Sequence, residues 1–122
     1  MEVSDLRLHH VQLAMPAGGE ELARRFYTGV LGIPEVPKPF PQNTRGGAWF
    51  ETDEIRIHLG IEQDFRPARK AHPAILVSDL KSLVKRLHAA DIAVIEGEPL
   101  EGYEHFYVSD PFDNRIEFLQ AR

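Results

Sequence analysis

Four side chains that can bind a metal ion recur at similar positions in the two halves of the 122-residue sequence. His10 and His72 each stand near the start of a predicted strand and are 62 residues apart (10 to 72). His58 and Glu117 each stand between apolar neighbours in a later predicted strand and are 59 residues apart (58 to 117). The two nearly equal spacings indicate an internal repeat that places these side chains in equivalent positions.

Two histidines and one carboxylate form a ligand set that holds Fe(II), Mn(II) or a similar ion and leaves positions open for a substrate. We therefore expect His10, His72 and Glu117 to be metal ligands. His58 is then either a fourth ligand or a group that transfers protons, because the ordinary pKa of histidine lies near neutrality. Glu117 and His58 are the candidate catalytic residues.

A site without a metal is the alternative for the same residues. The two histidines would then hydrogen-bond to backbone groups, and the Glu117 carboxylate on a strand face would need a compensating cation. Strand alternation offers Arg115 or Arg56 as that cation, which would leave an ion-paired cavity. The chain contains no cysteine, so none of its own residues can supply a thiolate or form a disulfide.

The spacing of apolar residues predicts the elements that position these side chains. Asp79 is the predicted N-cap of the second helix. The order strand, helix, three strands occurs twice in the prediction. The predicted elements of the first half are a strand at 8–15, a helix at 20–30, a short edge strand within 34–47 and strands at 48–52 and 55–61, and those of the second half are a strand at 72–77, a helix at 79–90 and strands at 92–95, 105–109 and 116–119.

We therefore predict an α+β fold of one domain, residues 1–122, built from a first βαβββ module at about 1–66 and a second at about 67–122. Each half is too small to bury both faces of a sheet, so the two sheets should share one structure. Helices on one face of each sheet leave the other face free to line a cavity. The candidate substrate contacts on that wall are Trp49, His105, Tyr107 and Arg115.

The charge balance narrows the classes of partner. The chain has 14 Lys and Arg against 19 Asp and Glu, a formal charge of −5, which argues against a nucleic-acid binder. No stretch approaches the roughly 20 apolar residues of a membrane span. Glu2 and Asp5 precede any apolar run, so we do not expect a signal peptide and place the protein in the cytoplasm.

Three stretches of the sequence resemble the vicinal oxygen chelate superfamily, which includes glyoxalase I, fosfomycin- and bleomycin-resistance proteins, extradiol dioxygenases and methylmalonyl-CoA epimerase. The stretches are LHHVQLAM followed by RRFYTGVLGIPEV, then AHPAILVSDL, and then HFYVSDPFDNRIEFL. The resemblance covers essentially the whole chain. It implies that paired βαβββ modules form an incomplete barrel around a metal, with His10, His72 and Glu117 at the positions of the family's ligands.

Three positions depart from the pattern of that family. His58 occupies the remaining equivalent site, where some members place Glu, so the glyoxalase I pattern of two His and two Glu is in doubt. Asp113 stands in a turn where the family commonly has Gly, and Asp tolerates a positive φ better than most residues. His105 stands where close relatives often carry Arg.

The resemblance implies a divalent-metal-dependent enzyme that chelates a small substrate through vicinal oxygens. The reaction would be that of a lyase or isomerase, a dioxygenase or a thiol transferase, with Fe, Mn, Ni, Zn or Co as the ion, and the protein would be a homodimer. The alternative is a metal-free binding protein that sequesters a flat ligand, as bleomycin-resistance relatives do. Fold-level analogy alone does not assign the reaction.

Overall fold

The computed structural model describes all 122 residues and contains two four-stranded sheets. The strand order is β1-β4-β3-β2 in the first sheet and β5-β8-β7-β6 in the second. The predicted α+β fold with two modules is therefore confirmed. The strands are β1 (Val11–Met15), β2 (Glu35–Val36), β3 (Ala48–Glu51), β4 (Arg56–Ile61), β5 (Ala74–Leu76), β6 (Ile95–Glu96), β7 (Tyr103–Ser109) and β8 (Arg115–Ala121).

The two sheets have the same topology. In each sheet the first strand of the module pairs in parallel with the last, and the remaining pairs are antiparallel. The register sets Gln12 opposite His58 in the first sheet and Ala74 opposite Glu117 in the second. The repeat in the sequence is thus a repeat of the fold, and it places His58 and Glu117 at corresponding points.

The helix of the first module differs from the prediction. Only α1 (Glu20–Ala23) is α-helical, and the chain continues as a π-helix over Arg24–Val30. The wider turn, in which the Leu31 N–H donates to the Phe26 carbonyl, lets the adjacent rings of Phe26 and Tyr27 both enter the core. Leu22 lies in the α-helical turn before the π-helix and is 49% exposed.

The second helix, α2 (Leu80–Ala89), follows the prediction closely. Asp79 is its N-cap, and the Asp79 Oδ1 atom accepts a hydrogen bond of 3.1 Å from the Ser82 N–H. Leu80, Leu83 and Leu87 are buried against the sheets. No helix of this structure has the length and apolar character needed to cross a membrane.

A buried polar network joins the two modules. The Tyr27 hydroxyl donates to Asp110 Oδ2 at 2.6 Å, and Asn114 Nδ2 donates to the Ala14 carbonyl at 2.8 Å. Burial raises the pKa of the Asp110 carboxyl above its ordinary value and the pKa of Tyr27 well above its own. The helices and the inner faces of both sheets form a single apolar core around this network.

The turn between β7 and β8 tolerates Asp113 at the position where glycine was the expected residue. Asp113 has a φ of 68°, and its N–H donates to the Asp110 carbonyl at 3.1 Å. An aspartate adopts this left-handed conformation at a modest cost. The turn therefore keeps the shape that aligns β8 with β7.

Candidate functional site

Each sheet buries one face in the shared core and turns its other face away from the helices. We call these outer faces the first open face, on the sheet β1–β4, and the second open face, on the sheet β5–β8. Alternation along β4 buries Ile57 and Leu59 in the core and sets His58 on the first open face. Alternation along β8 buries Ile116 and Phe118 and sets Glu117 on the second.

Glu117 is at the centre of the second open face. Its Oε1 lies 3.0 Å from His72 Nε2, and its Oε2 lies 2.8 Å from His105 Nδ1. Burial would raise the pKa of Glu117, but the hydrogen bonds from His72 and His105 outweigh it and lower the pKa. The carboxylate is therefore held ionised between two imidazole rings.

His72 is oriented as a metal-binding histidine is. Its Nε2–H donates to Glu117 at 3.0 Å, where a metal ion would take the place of that hydrogen, and its Nδ1–H donates to the Lys70 carbonyl at 2.8 Å. The other ring nitrogen of a ligand histidine usually makes such a bond, because it fixes the tautomer and the ring plane. The Glu117 N–H also donates to the Pro73 carbonyl at 3.0 Å, so His72 is fixed beside β8 although it precedes β5. These two residues fit a divalent ion.

His105 is fixed between Glu117 and the segment after β6. Its Nε2 bonds to the Glu98 carbonyl and its Nδ1 to Glu117. Both partners are acceptors, so both ring nitrogens carry hydrogens and the ring is cationic. The pKa of His105 is raised first by the bond to the Glu98 carbonyl and then by Glu117. A Cβ on Gly97 would collide with the ring, so this contact requires glycine.

A stack of three rings occupies the first open face. The His58 ring lies between the rings of His10, at 4.2 Å, and Trp49, at 4.0 Å. Its Nε2 bonds to Glu51 Oε2 at 2.6 Å. The pKa of His10 is lowered, by partial desolvation first and then by His58 and His9. The lowered pKa favours the neutral form of His10, which is the form that binds metals.

The structure brings together some of the predicted site residues and separates others. His72 is in contact with Glu117, and His10 is in contact with His58. No hydrogen bond, ion pair or ring contact joins these two pairs. Within one chain, no three His, Asp or Glu side chains are grouped so as to hold a metal ion. The separation arises because each pair lies on the open face of its own module.

Neither of the two arginines predicted as a possible partner of Glu117 makes that contact, so the prediction of an arginine ion pair with Glu117 is wrong for one chain. Arg56 lies 4.0 Å from Glu51 and donates to the His9 carbonyl. Arg115 lies over the Tyr107 ring, with its Cζ 4.7 Å from the ring centroid. The partners of Glu117 are instead two histidines.

Sequence reasoning did not find the contacts of His105 and Glu51 with these sites. Alternation along β7 places His105 and Tyr107 on one face, and the pairing of Tyr107 with Glu117 brings both close to the carboxylate. Alternation along β3 places Glu51 beside Trp49 in the same way. Strand alternation alone would have placed the side chains of His105 and Glu51 on the open faces. Their contacts depend in addition on the strand register.

We expect His105→Gln to lower thermal stability in a pH-dependent way. The raised folded-state pKa of His105 contributes stability below its ordinary value of 6.5, and this contribution is lost as the pH rises through the folded-state value. The lowered pKa of Glu117 contributes stability above 4.5, lost as the pH falls. Both contributions are present between these values, where the metal-free variant should melt about 4 °C below wild type.

Thermal unfolding of both metal-free proteins across the pH range checks this prediction. The difference in Tm should shrink as the pH rises through the raised folded-state pKa of His105, because the ring then loses its charge in the wild type. His88→Gln is the matched control, because His88 is exposed on α2 and should leave the profile unchanged. A difference in Tm that stays constant with pH would contradict the ionised pair.

Comparison with known proteins identifies related sequences and structures. A family model described as Glyoxalase/Bleomycin resistance protein/Dioxygenase superfamily matches residues 7–118. A glyoxalase family protein from Bacillus anthracis is 44% identical, with a TM-score of 0.92 and 96% of each chain covered. The comparison with curated proteins gave no match.

Two more distant structures share the fold. The fosfomycin resistance protein FosX from Listeria monocytogenes is 13% identical, with a TM-score of 0.74, and the alignment covers 96% of this chain and 94% of FosX. TnmS3, an antibiotic binding protein from Streptomyces sp. CB03234, is 19% identical, with a TM-score of 0.70, and the alignment covers 95% and 98%. The first of these is a resistance protein and the second is an antibiotic binding protein.

Proposed function

Since the chain belongs to the glyoxalase/bleomycin resistance/dioxygenase superfamily, we propose that it is a divalent-metal-dependent enzyme. His72 and Glu117 of one chain and His10 of a second copy would hold the ion, which is Fe, Mn, Ni, Zn or Co. The observation that carries the proposal is the contact of 3.0 Å between His72 Nε2 and Glu117 Oε1, with His72 Nδ1 already bonded to a carbonyl. The substrate is a small molecule with neighbouring oxygen atoms.

A second copy is proposed because the first open face and the second open face each carry part of the ligand set. Large apolar side chains near these ligands also lack cover in one chain: Leu8 is 81% exposed, Leu76 is 71% and Ile95 is 53%. Exposed apolar side chains of this kind favour burial between subunits. A homodimer that apposes the first open face of one copy with the second open face of the other would complete two equivalent sites.

The proposed chemistry assigns a role to each open face. When bound, the ion accepts neighbouring substrate oxygens and stabilises the negative charge that develops on them. His58 donates through Nε2 to Glu51, which keeps Nδ1 as the proton acceptor and makes His58 the general base. Trp49 and Tyr107 supply apolar walls. This set of groups suits isomerisation, ring opening by oxygen, or opening of an epoxide by a thiol.

Mixing two inactive variants tests the shared site. His10→Ala and Glu117→Ala should each lose metal binding when purified alone. In an equal mixture, random exchange makes half of the dimers mixed, and each mixed dimer keeps one intact site out of two. The mixture should therefore recover about one quarter of the wild-type metal content. Elemental analysis after unfolding, joint refolding and desalting measures it.

Two results would contradict the shared site. If all three ligands came from one chain, the mixture would stay as empty as the separate variants. If His10 were not a ligand, His10→Ala alone would retain metal. His88→Ala changes an exposed histidine on α2 and should bind metal normally. When it is mixed with Glu117→Ala, the metal content should be only that of the His88→Ala chains themselves.

A metal-free binding protein is the second candidate. The observation that favours it is that both oxygens of Glu117 already have imidazole partners, so the carboxylate is satisfied without an ion. The ring stack of His10, His58 and Trp49 would then contact a flat ligand. Under this alternative the protein takes up none of the five metals, and an antibiotic that carries a flat aromatic group, such as bleomycin, raises its Tm.

A further inference from the structure

A small polar cavity of about 290 Å³ lies on the second open face beside Tyr107, the residue that pairs with Glu117. The register places Tyr107 opposite Glu117 and Ser109 opposite Arg115. Arg115 and Glu117 are two residues apart on β8 and therefore share this face. The cavity is lined by Arg69, Ile95, Tyr107, Val108, Ser109, Asp113 and Arg115.

Arg115 brings an unpaired positive charge to this cavity. Its side chain is half-buried, and no carboxylate oxygen lies within 4.0 Å of its nitrogens. Its guanidinium lies over the Tyr107 ring, 4.7 Å from the centroid, and that contact leaves its N–H groups free. A guanidinium presents two parallel donors that match a carboxylate or a phosphate. The arginine thus has the geometry of an anion-binding group and no anion of its own.

The segment between the modules brings a second arginine to the same place. The Arg115 N–H donates to the Ala68 carbonyl at 2.9 Å, and the Ala68 N–H donates to Asn114 Oδ1 at 3.0 Å. These bonds fix the backbone next to Arg69. The pair of Arg69 with Asp113, at 3.7 Å, is exposed on both sides and contributes little. Arg69 is therefore available to an incoming anion, and the cavity has two cations against one carboxylate.

We propose that this cavity binds an oxyanion group of the substrate, a carboxylate or a phosphate. The substrate would then be a small anion whose acidic group reaches Arg115 while its neighbouring oxygens reach the metal at Glu117. The substrate class rests on the proposed function, because it assumes a metal at Glu117. The oxyanion site itself depends only on Arg115, Arg69 and Tyr107.

Calorimetry with two matched probes tests the substrate class. The probes are 3,4-dihydroxybenzoate and its neutral amide, 3,4-dihydroxybenzamide, added to protein loaded with one equivalent of Mn(II) or Fe(II). We expect the acid to bind about 10- to 100-fold more tightly than the amide, as a charge-assisted pair provides. Arg115→Met should remove this preference, and Arg66→Met, which changes an arginine outside the cavity, should keep it.

A titration without metal separates the oxyanion site from the metal site. Inorganic phosphate and benzoate are added separately to metal-free, ¹⁵N-labelled protein, and the amides of Ser109 and Arg115 should shift and saturate. A response to one anion only identifies which oxyanion the cavity accepts. Arg115→Lys keeps the positive charge but loses the two parallel donors of the guanidinium, so it should weaken the response. It also replaces Arg115→Met if that variant unfolds.

The outcomes separate the two proposals. Equal affinity for the acid and the amide, or a preference that survives Arg115→Met, would overturn the assigned substrate class. Absence of any shift with phosphate and with benzoate would overturn the oxyanion site. If elemental analysis finds no bound metal while an anion still shifts Ser109, the metal proposal fails and the oxyanion site stands.

Discussion

Glu117→Gln should lower the affinity for a divalent ion by more than about 100-fold. Mutation of a residue that only hydrogen-bonds to a metal ligand already lowers metal affinity by about 10- to 100-fold. The substitution keeps the volume of the side chain and removes its negative charge. It would leave His72 and His105 facing a neutral amide in place of a carboxylate. Calorimetric titration of the metal-free variant with Mn(II) and Zn(II), together with elemental analysis, measures the loss.

The matched control is Glu104→Gln on the neighbouring strand. Glu104 pairs with Gln120 in the register and is exposed, and its change removes the same charge from the protein. Metal content should then equal that of the wild type. Retention of one equivalent of metal by Glu117→Gln would refute the assigned ligand.

Asn114→Ala should destabilise the fold by about 3 kcal/mol, because it leaves buried partners without hydrogen bonds at 1–3 kcal/mol each. The side chain is 1% exposed. Its Nδ2 donates to the Ala14 carbonyl and to Asp110 Oδ2, and its Oδ1 accepts from the Ala68 N–H. The loss acts between the modules, so unfolding should remain one transition, with a Tm lower by about 12 °C.

Chemical and thermal denaturation of the metal-free proteins measure this change. Asn43→Ala is the matched control, because Asn43 is exposed in the 3₁₀ turn before β3 and its side chain makes no hydrogen bond, so the effect should stay within about 0.5 kcal/mol. Two separate unfolding transitions in Asn114→Ala would contradict a shared core held by this network.

Alternation of side chains explains what the sequence could predict. A strand residue between two apolar neighbours is placed on the outer face by period two alone, so His58 and Glu117 fall where the repeat predicted. The N-cap Asp79 and the stripe of α2 are local signals of the same kind. These predictions succeed because each depends on residues within a few positions of one another.

Longer-range arrangements were beyond those signals. The sequence could not show that His10 lies apart from Glu117 within one chain, because that depends on how the two modules pack against each other. The contact of His105 with Glu117 depends on the register of β7 against β8, and the π-helix at Arg24–Val30 has the same residue pattern as an α-helix. In each case tertiary packing decides between alternatives that look alike locally.

The ring stack on the first open face couples ligand binding to the fluorescence of the protein. Trp49 is the chain's single tryptophan, and its indole lies nearly parallel to the His58 ring, with 4° between the planes. Any event that displaces that imidazole or changes its charge alters the surroundings of the indole. The intrinsic fluorescence of the unlabelled protein should therefore follow ligand arrival in real time, with no second emitter of the same kind to obscure it.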